Sequence, residues 1–281
     1  MSAFLGSNQV GSTNFIQCQH ININIEDNLI NKTISIYSNS EISNIKSNVF
    51  AYCSNLATID FPNCISIGNH AFIRCHSLTT ISFPNCTLID SYAFYECNSL
   101  TSVNFPNCTY ISNFAFAYCP LISVNFPNCN CVSSYAFVSC YSLTTASFPN
   151  CKKIGTRAFA SCYSLASVNF SNCTLISYCA FDSCYSLTSI NLLNCSLISS
   201  MVFYGCRKLL SVYLLGSSMT ALSSYDAFWA TPISNSTAST GGVYGSIYVP
   251  ASLYNDYIAA TNWSIYSSRI VSLTDEQIAA L

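Results

Sequence analysis

Eighteen cysteines and three histidines are the residues of this 281-residue chain that could do chemistry. Zinc sites need paired cysteines two to four residues apart in at least two places. Only Cys129 and Cys131 come that close, so the spacing argues against a metal centre. Fifteen of the eighteen fall instead into two rows, Cys64, Cys86, Cys108, Cys129, Cys151, Cys173 and Cys195, and Cys53, Cys75, Cys97, Cys119, Cys140, Cys162, Cys184 and Cys206. Cys18, Cys131 and Cys179 lie outside them. Members of one row would sit a strand spacing apart, about 4.8 Å, within the roughly 4.4–6.8 Å reach of a disulfide, but their side chains point in parallel. The rows are therefore read as a ladder of buried free thiols, packed as small hydrophobes. Such a ladder implies a reducing or anaerobic setting during folding. Of the histidines, His70 and His76 have Tyr92 and Asn98 as their repeat equivalents, and His20 lies apart. Neither a Ser/His/Asp nor a Cys/His arrangement recurs, and nine glycines build no phosphate loop. The sequence predicts no catalytic residue, no metal and no cofactor, hence no enzyme.

The elements that carry these rows follow from one period. Phe-Pro-Asn-Cys starts at Phe61, Phe83, Phe105, Phe126 and Phe148, then becomes Phe-Ser-Asn-Cys at Phe170 and Leu-Leu-Asn-Cys at Leu192. The step is 22 residues, except for one of 21 where Cys119-Pro120-Leu121 is a residue short. Within a repeat, apolar Leu78, Ile81 and Phe83 mark a short strand ended by Pro84. Ile89 and its copies follow, then Ala-Phe at Phe72, Phe94, Phe116, Phe137, Phe159 and Phe181, with room for one helical or 3₁₀ turn before the next Cys. A coil this small cannot bury its apolar residues alone; stacking of neighbours makes the core. The Asn of each Phe-Pro-Asn-Cys is expected to stack on its copies inside the turn and bond its backbone.

Leucine, isoleucine and Ala-Phe-x-x-Cys-x-x-Leu at these offsets resemble the BspA-like (Treponema pallidum type) leucine-rich repeats, over roughly residues 33–228. Phe-Pro-Asn-Cys stands where that family more often has Ile-Pro-x-x, which adds the second thiol row. The expected fold is an α/β solenoid, a right-handed leucine-rich-repeat coil of about nine 22-residue repeats with a parallel sheet on one face. Residues 1–32 are read as an N-terminal cap (Phe15, Ile16, Ile21 and Ile23 covering the first coil), 33–233 as the solenoid and 234–281 as a C-terminal capping module.

Only 7% of the residues are charged, 51% are apolar and the net charge is −2. That excludes disorder and a phosphate-binding surface for nucleic acid. No apolar run long enough to span a membrane occurs, and the N-terminus lacks the pattern of a signal peptide. The resemblance implies a cell-surface or extracellular recognition protein of adhesin type, monomeric, binding a protein or a glycan. Two surfaces are candidates for that contact. One is the outward strand face, Ser102, Asn104, Ser123, Asn125, Thr145, Ser147, Ser167, Asn169, Ser189 and Asn191, whose hydroxyls and amides also suit a closely stacked sheet. The other is a row after the Cys of three consecutive coils, Tyr141, Tyr163 and Tyr185, with Tyr118 nearby. Two other functions stay open: a tail-fibre-like structural module in which the solenoid is a spacer, and an ice or crystal-surface binder using the Ser/Thr row.

Overall fold

The computed structural model describes residues 2–4, 34–37, 42–234 and 244–281. Each repeat contributes a long strand such as Thr80–Ser82 and a two-residue strand such as Leu88–Ile89, all paired in parallel one repeat apart. The two-residue strands form one nine-stranded sheet from Asn44–Ile45 to Ala221–Leu222. The long strands form three sheets of five, three and four. The first break separates Ser102–Asn104 from Ser123–Asn125, where the repeat is one residue short. The second separates Ser167–Asn169 from Ser189–Asn191, and no residue there accounts for it.

The Ala-Phe segment forms no helical turn between residues 42 and 234. It holds two left-handed residues per coil, for example His70 (φ 56°) and Arg74 (φ 56°), and few of them are glycine. Left-handed backbone costs an L-residue about 1–2 kcal/mol. The offset is a third ladder along the axis. The N–H groups of His70, Phe72 and Arg74 donate to Ser91, Ala93 and Tyr95 of the next coil, while those of Ala71, Ile73 and Cys75 close turns within their own.

The core is the space these three ladders enclose. Leu78, Ile81, Ile89 and Phe94 are buried, as are nearly all their copies. Nine phenylalanines from Phe50 to Phe228 stack in one column with centroids 5.0 to 5.6 Å apart. The Phe-Pro-Asn phenylalanines form a second column that meets the first edge-on, as between Phe94 and Phe105 at 6.0 Å. Edge-to-face contact aligns the positive rim of one ring with the negative face of the next.

At the C-terminal end, Ser246–Pro250 pairs with Ser211–Tyr213 and Ile270–Leu273 pairs with it in turn, so the segment after the repeats extends the long-strand face. The last short strand is closed by side chains. Tyr257 Oη accepts from the Thr220 N–H (2.8 Å), Trp263 Nε1 donates to the Thr220 carbonyl (2.8 Å) and Asn262 Nδ2 to that of Leu222 (2.9 Å). An open edge there would template association. At the other end Ser2–Phe4 pairs in parallel with Ile34–Tyr37. Phe15, Ile16, Ile21, Ile23 and His20 lie outside the described residues.

Candidate binding surfaces

The chemistry available to the cysteines is set by what their protons do. In one row the thiol donates to the carbonyl of the Ala-Phe phenylalanine in the preceding coil, as Cys119 Sγ does to Phe94 (3.0 Å) and Cys140 Sγ to Phe116 (3.2 Å). In the other it donates two residues ahead in its own coil, as Cys151 Sγ does to Lys153 (3.1 Å). Burial pushes these thiols up, Cys151 to about 11 and Cys75 to about 12. A group that must keep its proton to satisfy a buried carbonyl is a poor nucleophile and a poor metal ligand. Fourteen of the fifteen cysteines in the two rows are free, as the ladder reading expects, and so are Cys131 and Cys179, which lie outside the rows. Cys53 is the exception, being disulfide-bonded, and Cys18 lies outside the described residues. Among the described residues no group of three or more His, Cys, Asp or Glu is placed to hold a metal ion. His70 stacks on Tyr92 with centroids 4.8 Å apart, so its ring belongs to an aromatic row that continues through Phe114 and Tyr135.

The Asn row is in register but on the surface. Asn85, Asn107, Asn128 and Asn150 each donate Nδ2 to the proline carbonyl of the preceding coil at 2.8–2.9 Å. All four are exposed, which corrects the expectation that they lie inside the turn. Phe and Cys take the inward positions, and an amide that reaches back along the axis stays at the rim. With Thr87, Thr109, Asn130 and Lys152 they line a polar groove of about 530 Å³. Sequence reasoning found the row and missed the groove because it placed these side chains in the interior.

The long-strand face carries the predicted residues outward. Ser102, Asn104, Ser123, Asn125, Thr145, Ser167, Asn169, Ser189 and Asn191 are exposed and Ser147 half-buried. Part of this polarity is spent within the face, Asn104 Nδ2 bonding Ser82 Oγ at 3.0 Å and Ser171 Oγ donating to Asn169 Oδ1 at 2.5 Å.

The tyrosine row forms a wall. Tyr141 and Tyr163 stack at 5.1 Å, Tyr163 and Tyr185 at 4.9 Å, and the Arg207 guanidinium closes the column 5.0 Å from the Tyr185 centroid. Tyr141 is 48% exposed and Tyr163 40%. Two columns exchange sizes to make room for it. Before the Cys stand Tyr52, Arg74, Glu96 and Tyr118, then Ser139, Ser161, Ser183 and Gly205; after it stand Ser54, His76, Asn98 and Pro120, then Tyr141, Tyr163, Tyr185 and Arg207. Bulk crosses from one side of the Cys to the other at the short repeat, where Glu96, Asn98, Tyr118, Pro120 and Tyr141 border a notch of about 450 Å³. Glu96 is held there by Arg74 at 2.7 Å. Burial, then the Glu96 carboxylate, pushes the neighbouring Tyr95 phenol up to about 12. The exchange of columns was visible in the sequence, and comparing the two residues that flank each Cys would have located the notch.

The family model of the BspA type leucine rich repeat region matches residues 27–144 and 130–241, in six copies. The chain belongs to this family. A search of curated proteins found no match. Solved structures similar to this BspA-type protein include a leucine-rich repeat protein from Bacteroides ovatus (18% identity, 85% of this chain and 83% of that one, TM-score 0.41). The T. pallidum leucine rich repeat protein has 21% identity over 69% of this chain and 75% of that one, with a TM-score of 0.40. A leucine rich cell surface protein from Faecalibacterium prausnitzii has 19% identity over 84% and 82%, with a TM-score of 0.38. No helix among the described residues of the BspA-type chain is long and apolar enough to cross a membrane.

Proposed function

We propose that this BspA-type repeat protein is a non-enzymatic recognition module, acting at a cell surface, with residues 1–32 and 234–281 as its caps. Its partner, a protein or a glycan, lies along the edge built by Tyr141, Tyr163 and Tyr185. The observation that carries this reading is the surface tyrosine stack, with Tyr141 and Tyr163 exposed and Tyr185 half-buried, beside a column of Ser139, Ser161 and Ser183. Three large rings held at the surface serve no core, and tyrosine supplies contact area and a hydroxyl at little entropic cost. A periodic wall alone lets a ligand slide by one coil; the notch at the short repeat breaks that degeneracy and defines a register. The strand face is the weaker candidate because its amides and hydroxyls partly satisfy one another and each net hydrogen bond contributes only about 0.5–1.5 kcal/mol.

A specific interface needs about 800 Å² per partner, so several coils must take part. Binding to a panel of immobilised matrix proteins and glycans tests the proposal. The triple variant Tyr141→Ala, Tyr163→Ala, Tyr185→Ala should abolish capture of the panel's best partner, and Asn125→Arg with Ser147→Arg should leave it intact. The opposite result moves the site to the strand face. If neither set matters, the solenoid is a spacer and the contact belongs to the segment from Tyr248 to Tyr266.

A further inference from the structure

The tyrosine edge ends on a cation that no carboxylate neutralises. Arg207 holds the position after Cys206 that tyrosine occupies in the three preceding coils, and it and Lys208 are both exposed. Among the described residues the one ion pair is Arg74 with Glu96. A guanidinium over a ring still carries its fork of N–H donors, which can grip a carboxylate through two parallel bonds. The surroundings favour the same sign. Lys208 stands beside Arg207, while the carboxylates on either side in the sequence, Asp182 and Asp226, accept from Ser183 Oγ and from Ser200 Oγ and the Met201 N–H. Two adjacent exposed cations attract an anion locally although the whole chain is at −2.

The stack itself narrows the class of anion. Tyr163 lies between Tyr141 and Tyr185 with interplanar angles of 26° and 5°, so the facing ring surfaces cover each other. What the ladder turns to solvent is ring edges and hydroxyls. Sugar rings stack on open aromatic faces, and within this stack the inner faces are covered, leaving open only the Tyr141 face toward the notch. Ring edges are the positive side of the quadrupole and a phenol donates, so both suit the carbonyls of a polypeptide.

We propose that this end of the edge binds an acidic segment of a protein partner, one carboxylate held by the Arg207 fork, Lys208 adding charge, and backbone carbonyls accepting from the tyrosine hydroxyls. The assignment rests on the tyrosine edge being the recognition surface. Fluorescence polarisation of a labelled oligoglutamate peptide at low salt tests it, with heparin and an oligoglutamine peptide as comparison probes. Oligoglutamate should bind and oligoglutamine should not. Arg207→Ala should weaken binding about tenfold or more, and Arg207→Lys should restore little, because charge without the fork is not equivalent. The double variant Lys152→Ala, Lys153→Ala removes more charge from another face and should leave binding nearly unchanged. Absence of oligoglutamate binding, equal loss in the Lys152/Lys153 variant, or Arg207-dependent binding of heparin alone would each overturn the proposal, the last in favour of an anionic glycan. All variants replace exposed side chains, and their thermal unfolding should match that of the parent. If the panel partner needs the tyrosines and not Arg207, this proposal fails while the recognition edge stands; if oligoglutamate needs Arg207 while the panel partner ignores the tyrosines, the reverse holds.

Discussion

Above pH 9 the solenoid should lose stability steeply, because its thiols keep their protons only while they are buried. In the unfolded chain a cysteine ionises near 9.0; in the folded one burial holds Cys151 up to about 11 and Cys75, Cys108 and Cys195 to about 12. The native state therefore binds more protons in this range, and a rise in pH favours unfolding. The thiols' contribution is fully present below about 9 and is lost as pH climbs towards 11–12. One pH unit above the unfolded value, each of these four thiols costs about 1.4 kcal/mol, so the set removes about 6 kcal/mol at about pH 10, and roughly 10 kcal/mol by about pH 11. A domain's whole stability is about 5–15 kcal/mol, so alkaline unfolding should be cooperative and begin near pH 10. Urea titrations followed by circular dichroism at about pH 8, 9 and 10, with a reductant present, measure the slope. The double variant Cys75→Ala, Cys108→Ala starts less stable at neutral pH because it leaves two holes, but its stability should fall more slowly, by about 2.8 kcal/mol less per pH unit. Urea midpoints that stay level from pH 8 to about 10.5, or a double variant with the parent's slope, would refute the reasoning.

Phe116→Ala removes a fully buried ring that stacks on Phe94 (5.1 Å) and Phe137 (5.3 Å) and meets Phe105 edge-on at 6.0 Å. Its cost should reach the upper end of about 3–5 kcal/mol, because coils above and below hold the hole open; a loss under about 2 kcal/mol in urea unfolding would contradict the column's role. Trp263→Phe keeps a phenyl ring but removes the pyrrole part of a buried indole together with its donor to the Thr220 carbonyl. Leaving that acceptor buried and unpaired should cost about 1–3 kcal/mol in addition to the hole left by the smaller ring, read as a lowered thermal midpoint; no change would contradict the closing role of Trp263.

The radial order of each coil was legible before any coordinates. A strict period with Leu, Ile and Phe at fixed offsets states which side chains point inward, and Leu78, Ile81, Ile89 and Phe94 are buried with nearly all their copies. The outward Ser and Asn of the long strands follow from the alternation of side chains along a strand. The free thiols followed from the parallel rows. The 21-residue step was also visible, though not its consequence.

What the tertiary structure decided is axial. Which groups meet across coils depends on the rise and on turn dihedrals that residue types do not encode. Nothing in Asn69-His70-Ala71-Phe72 announces a left-handed residue, because the conformation is held by bonds to the next coil. The same holds for the Asn side chains from Asn85 to Asn172, drawn to the rim by a proline carbonyl one coil away. The first sheet break and the notch sit at the short repeat, and the Arg207 cap on the tyrosine stack is a contact between one coil and the next; a repeat read one unit at a time contains no neighbour. Sequence determined the cross-section of this solenoid; stacking determined its surface, since in a one-dimensional assembly every contact that defines an edge is made between units.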